Sequence, residues 1–380
     1  MTRFLLALAA GIALFITFLV VYNQVRPNSE PATEPNAQSS RPETSHAETI
    51  VQESLPRTPW SGRTIQVTLT LPKTGTPAEV HLLPTADQLV PGDAYALYEQ
   101  ACDALPTTLD ENALAEWTKV KPGALPKDRV KAVLDESQAV FNLVNQAMLC
   151  IDCNWPAWTP GSPPPDLKAF RVLARLISIS VAYGLADGKP QESVESLAMG
   201  LRLAQQVGAG PTLPHALVGI AIGALTCRQI LVFMEQSHGL SLYGALASLP
   251  TPLIGVEEAI QSELDNLDTD PQVNMFNRRA FLSILEPAHE RVRFVAKRFE
   301  RDLRILQCLE AIRLYAAAHD GRLPQTLSQI TGYTLPKDPL NDKPFVYGVT
   351  GDGAILESPA PKGEDARVGL RYEVTVRPAR

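Results

Sequence analysis

The run Phe4 to Tyr22 constrains the chain most: it carries no charge, and its only polar side chains are Thr17 and Tyr22. At about 1.5 Å of rise per residue it spans roughly 28 Å as a helix, one bilayer hydrocarbon core. A cleaved secretory signal is the competing reading, but such signals have apolar regions of about 7–15 residues followed by a small-x-small site. Leu19-Val20-Val21-Tyr22-Asn23-Gln24 offers no such site, and Ala7, Ala9 and Ala10 come before a full apolar region. The expectation is an uncleaved, single-pass anchor at residues 1–22 that contacts the lipid bilayer through residues 4–22. Arg3 and Arg26 flank the run, so charge hardly decides orientation. The short N-terminal tail favours a cytoplasmic amino terminus and an extracytoplasmic body on a bacterial cytoplasmic membrane.

Residues 23–62 read as a disordered tether. Between 27 and 60 stand six prolines and five glutamates against two basic residues, with no hydrophobic period. Such a stretch buries too little surface to offset its ordering entropy. The whole chain is 45% hydrophobic and 20% charged, which leaves ample material for a core beyond the tether. A net charge of -7 argues against nucleic acid as the main partner, since no basic face is available to neutralise phosphates.

The body is expected to be mainly α, with a helical domain at 63–290 and a small α+β module at 291–380. Thr64 to Leu71 alternates, with Ile65, Val67, Leu69 and Leu71 on one face, which predicts a half-buried strand. Val368, Leu370, Tyr372, Val374 and Val376 alternate in the same way near the other end and offer it a partner. Phe345 to Tyr347 and Ala354 to Leu356, joined through Gly351-Asp352-Gly353, predict a hairpin. Helical spacing predicts helices over 93–104, 127–149, 166–186 (with Asp166 as N-cap), 191–207 and 211–235. A broken stretch follows at 240–268, then one or two long helices over 275–318.

Three resemblances follow from these residues. Ala182-Tyr183-Gly184-Leu185-Ala186-Asp187-Gly188-Lys189-Pro190 resembles the turn of a tetratricopeptide-type hairpin, which implies close helix approach at Ala182, Gly184, Ala186, Ala198 and Gly200. Leu306 to Pro359 resembles the C-terminal part of type II secretion major pseudopilins. A helix runs into Asp320-Gly321-Arg322-Leu323-Pro324, followed by Leu335-Pro336-Lys337-Asp338-Pro339, Phe345, Tyr347 and a Gly-Asp-Gly hairpin. That resemblance implies a helix packed on a small sheet. For some members it also implies a calcium site, to which Asp338, Asp342 and Asp352 would contribute oxygens. The pseudopilin processing motif is absent from Met1 to Tyr22, and the anchor stands far from the module. The whole body is also similar to a family of planctomycete membrane proteins. The similarity rests on Cys153-Asn154-Trp155, Arg175, Gly188, Leu201-Arg202-Leu203-Ala204, Gly210-Pro211-Thr212-Leu213 and Val218-Gly219-Ile220-Ala221. It implies architecture and no chemistry.

Chemistry-bearing patterns are sparse. Cys150-Ile151-Asp152-Cys153 is the one Cys-x-x-Cys spacing. It reads as a local disulfide fixing the loop that holds Trp155 and Trp158, as unlinked structural cysteines, or as a redox or metal pair; a zinc site would need two further ligands. Cys227 and Cys308 sit among apolar neighbours, the setting of buried core cysteine. None of the six histidines falls in a zinc-hydrolase spacing, and no nucleophile elbow, Walker loop or dinucleotide fingerprint occurs. The basic run Arg291, Arg293, Lys297, Arg298, Arg301 and Arg304, interleaved with Glu290, Glu300 and Asp302, reads as a solvated helix face or a docking face for an acidic partner. The sequence implies no cofactor, no metal and no catalytic residue. Its leading functional reading is a non-enzymatic, membrane-tethered scaffold for a protein partner. A secretion-system or pilus-like component and a hydrolase without a recognisable motif are the alternatives.

Overall fold

The computed structural model describes residues 60–72, 80–158, 166–236, 239–269 and 275–378. The expected anchor at 1–22 and nearly all of the tether at 23–62 lie outside the described residues. The described chain is mainly helical, with ten α-helices and a small mixed sheet.

Two short helices open the body: α1 (Ala94–Asp103) and α2 (Glu111–Trp117). Each is started by an aspartate. Asp93 accepts from the Tyr95 N–H, and Asp110 accepts from those of Asn112 and Ala113, so orphan donors of the first turn are satisfied. The single helix expected over 127–149 is instead two, α3 (Lys127–Glu136) and α4 (Gln138–Met148), broken at the buried Ser137. The break has a packing cause. Val130 of α3 joins a small core with Leu114 and Trp117, while Val140, Val144 and Ala147 of α4 join the main core. One straight helix could not face both.

Three long helices follow: α5 (Lys168–Ala186), α6 (Pro190–Gly208) and α7 (Leu213–Gln236). Asp166 accepts from the Lys168 N–H at 2.9 Å, so it serves the start of α5 from one residue earlier than a regular N-cap. The α5–α6 turn uses Gly188 at φ 75°, a left-handed conformation that glycine adopts without steric cost. Small residues then set the spacing. A Cβ on Gly184 would meet Ser193 Oγ of α6 at 2.5 Å, and one on Gly219 of α7 would meet Gly208 Cα of α6 at 2.6 Å. Gly200 departs from expectation, because its neighbour is Thr226 of α7 and not α5. Both α5 and α7 are long and apolar enough to cross a membrane. Their apolar windows are, however, 61% and 67% buried inside the protein, which is how the central helices of a folded core are placed.

Beyond α8 (Tyr243–Ala247) and α9 (Glu257–Thr269), the chain enters α10 (Met275–Ala318), one unbroken helix of 44 residues and roughly 66 Å. Asp320 and Gly321, both at positive φ, close it, and the Gly321 N–H returns to Ala316 O at 2.8 Å as in a Schellman stop. The boundary read from sequence at 290/291 falls inside α10.

Among the described residues, eight short strands complete the fold: β1 (Arg63–Thr70), β2 (Val90–Asp93), β3 (Cys150–Asp152), β4 (Lys337–Asp338), β5 (Lys343–Pro344), β6 (Val346–Thr350), β7 (Gly353–Ser358) and β8 (Leu370–Arg377). The main sheet has the order β1-β8-β7-β6. β6 and β7 form the expected hairpin, and β1 pairs in parallel with β8, from Arg63 against Leu370 to Thr70 against Arg377. Val67, Leu69, Leu356, Tyr372 and Val374 face the same core as Leu306 and Ile312 of α10. Ile355 does not join Leu356 in that core, because strand alternation turns it the other way and leaves it partly exposed. One continuous core therefore joins β1, the helices α5 to α7, α10 and the sheet.

Candidate functional site

The sequence motifs converge on the segment after α4. Cys150 lies in β3, which pairs with β2. Arg202 of α6 donates to Cys150 O at 2.8 Å and Met148 O at 3.2 Å. Gln206 sits in the last turn of α6, where carbonyls lack helical donors. Its carbonyl receives the Trp155 indole N–H at 2.9 Å and the Cys153 thiol at 3.9 Å, and its side-chain oxygen accepts from Tyr98 Oη at 2.6 Å. Asp93 Oδ1 accepts from the Asn154 N–H at 2.8 Å while also capping α1. Trp155 then stacks among Tyr95, Phe170 and His215, with ring centroids 4.5–5.2 Å away. Hydrogen bonds and rings thus clasp this loop to α1, α6 and α7.

Cys150 and Cys153 are both thiols. The backbone between them is extended, which separates their Cα atoms by roughly 10 Å, beyond the ~4.4–6.8 Å of a disulfide. Burial pushes the Cys153 thiol up to about 12, with Asp93 adding to it, and burial also raises Cys150. High thiol pKa values disfavour the thiolate that redox and metal chemistry require. Burial likewise lowers His215 to about 4. Its Nδ1 lies 2.8 Å from Thr212 Oγ1, which ties the ring to the turn before α7.

The second half of the basic run on α10, from Arg298 to Arg304, is not a solvated face. Arg301 is fully buried; it grips Asp302 at 2.8 Å and donates to Val368 O at 2.8 Å. Arg304 pairs with Glu300 at 2.6 Å, and Glu300 also accepts from the Leu253 N–H at 3.3 Å. Further along the helix, Arg313 and Glu310, both fully buried, pair at 2.7 Å. Arg313 donates to Thr70 O at 2.9 Å and Leu240 O at 2.6 Å, and Glu310 accepts from the Leu242 N–H at 3.0 Å. The expected docking face for an acidic partner is therefore turned inward at Arg298, Arg301 and Arg304, while Arg291, Arg293 and Lys297 stay partly or fully exposed. Arg293, nearer solvent, is held by Glu257 and Glu290. The cause is the loose ends of neighbouring segments, whose unpaired backbone groups need charged or polar partners once buried.

Asp338, Asp342 and Asp352, the expected calcium ligands, do not gather into a metal site. Asp338 is buried, and its carboxylate is filled by the Leu340 N–H at 2.9 Å, Asn341 Nδ2 at 2.8 Å and Ser358 Oγ at 2.8 Å. Asp342 pairs with Lys337 at the surface, and Asp352 sits in the β6–β7 turn. Among the described residues no three His, Cys, Asp or Glu side chains gather to hold a metal ion. α2 is absent from the helices expected from sequence, although Asp110-Glu111 ahead of Leu114 and Trp117 carries the signal of a capped helix. No family model, curated protein or solved structure matches the chain.

Proposed function

We propose that the chain is a membrane-tethered, extracytoplasmic scaffold that holds a rigid helical body out to a protein partner and carries out no chemistry itself. One observation carries this reading: the ionised side chains buried along α10 are committed to the backbone of other segments, from Thr70 to Leu240 and Val368. They act as fasteners and leave little ionisable chemistry free in the interior. The single anchor at residues 4–22 and the tether at 23–62 belong to the same proposal, with the amino terminus in the cytoplasm. So does kinship with planctomycete-type anchored proteins, and so does a tetratricopeptide-like character of the α5–α6 hairpin, supported by the Gly188 turn and the Gly184–Ser193 approach.

Topology is tested by engineering Ser39→Cys. A membrane-impermeant maleimide should label it in intact spheroplasts above the wild-type background. Labelling that appears only after lysis would overturn the orientation.

A second reading, a pilus-like envelope component, is favoured by the succession of α10, its Asp320-Gly321 stop and the β6–β7 hairpin. Sedimentation velocity over a concentration series separates the two. A scaffold gives a monomer or a small closed oligomer, whereas open-ended growth promotes the second reading.

A further inference from the structure

β1 follows directly on residues 23–62, so tension along them enters the body at the Arg63 end of the strand. β1 runs parallel to β8 over its whole length, with eight residue pairs from Arg63 against Leu370 to Thr70 against Arg377. A pull at Arg63 is resisted by β8, whose far end is Arg377. When a parallel pair is loaded from opposite ends, the force runs along the strands and reaches all the ladder hydrogen bonds together.

Both ends of β1 are fixed. At the entry, the Arg63 N–H donates to Gly369 O at 2.9 Å. A Cβ on Gly62 would meet the same oxygen at 2.7 Å, so the two backbones touch there. The Arg371 guanidinium lies over the Trp60 ring at 4.5 Å from its centroid, and the buried Glu357 of β7 holds Arg371 at 2.6 Å. These contacts oppose peeling from the entry end. At the exit, Thr70 is a junction. Its carbonyl accepts from Arg313 of α10 at 2.9 Å, and its hydroxyl donates to Glu235 O of α7 at 2.6 Å and accepts from Arg377 Nε at 2.9 Å. Arg377 also donates to Glu235 O at 2.7 Å, and the Leu71 N–H donates to Arg377 O at 2.9 Å. β1 therefore ends on α7, α10 and β8 at once.

The pairing sets the mechanics. A ladder bond is lost after about 1 Å of slip, so in shear the eight pairs give way within one such step. Peeling the same strand spreads the work over its length, roughly 26 Å. Work is force times distance, so shear demands far more force than peeling.

We propose that β1 is a load-bearing strand. Tension from the tether is taken in shear against β8 and passed at Thr70 into α7 and α10, so a body bound to its partner stays folded while the membrane pulls on it. This rests on the tethered-scaffold reading above and adds a mechanical function to it.

Optical tweezers on the full chain in lipid nanodiscs test it. One DNA handle is joined to a peptide tag after Arg380, the other to an azide-bearing residue placed at Ser39 or at Thr74. The Ser39 handle loads β1 at Arg63 and puts the pair in shear. The Thr74 handle loads it at Thr70, the same end as Arg377, so the pair opens bond by bond. At one loading rate, the first rupture should need at least about twofold more force in the Ser39 geometry. Thr70→Val deletes the hydroxyl held by Glu235 O and Arg377 and should lower the Ser39 rupture force. Equal forces in the two geometries, or a folded Thr70→Val chain as strong as wild type, would overturn the proposal. The comparison of geometries is made on the wild-type fold and stands whether or not Thr70→Val folds. Both handles lie on the body side of the anchor, so the forces do not depend on which way the body faces. Labelling at Ser39→Cys reads that separately.

Discussion

Arg313→Met removes a fully buried fastener of α10. Arg313 and Glu310 are both fully buried, and Arg313 supplies hydrogen bonds to Glu310, Thr70 O and Leu240 O. Methionine keeps much of the volume and fills irregular gaps, so packing loss is small. Most of the cost comes from the Glu310 carboxylate, left buried with the Leu242 N–H as its remaining donor among these contacts. Breaking a buried ion pair from one side costs about 3–5 kcal/mol. Each carbonyl left without a donor adds about 1–3 kcal/mol where water cannot reach it. We expect a loss of about 5 kcal/mol or more, read by urea titration of the full chain followed through tryptophan fluorescence. Removing both charges restores part of this, because no buried ion is then left alone: Arg313→Met with Glu310→Leu should be more stable than Arg313→Met by about 2 kcal/mol or more. A single variant within about 1 kcal/mol of wild type would refute the reasoning, as would a double variant no better than the single one.

The helix spacing, the sheet core and the pH response give further checks. Gly219→Ala places a methyl 2.6–2.7 Å from backbone atoms of α6; backbone cannot swing aside, so the urea midpoint should fall by the equivalent of about 2–3 kcal/mol. Phe345, 2% exposed in the main core, should cost about 3–5 kcal/mol on truncation to alanine, and an unchanged melting point would show that the ring is not core. Burial holds His215 neutral, at about 4 when folded against an ordinary 6.5, so protons bind the unfolded chain more readily. Stability is therefore complete above about pH 6.5 and declines as pH falls toward 4, by at most about 3 kcal/mol. His215→Gln should flatten that part of the stability–pH curve, and parallel curves would count against it.

Local patterns carried much of the architecture. Period-two alternation marked β1 and β8 because each buries one face, and Gly351-Asp352-Gly353 marked the β6–β7 turn. The parallel sense of the β1–β8 pair was not legible, since alternation is the same in either direction. The break at Ser137 was hidden because Val130 and Val140 keep a helical rhythm across it, and only the existence of two cores demands a bend. The arginines of α10 misled for a different reason. Charge in a sequence reads as solvent, and only the fold brings Glu300, Glu310 and the carbonyls of distant segments close enough to make burial tolerable.

Its hydrogen bonds make α10 the fastener that joins β1, the helices and the C-terminal sheet into one cooperative body, a cooperativity that native-state hydrogen exchange of the full chain reads out. Amides of 64–70 that face β8 should exchange at the same free energy as those of 304–312 in α10, and Arg313→Met should lower both by the same amount. Exchange of the β1 amides at a free energy well below that of α10, unaffected by Arg313→Met, would contradict it.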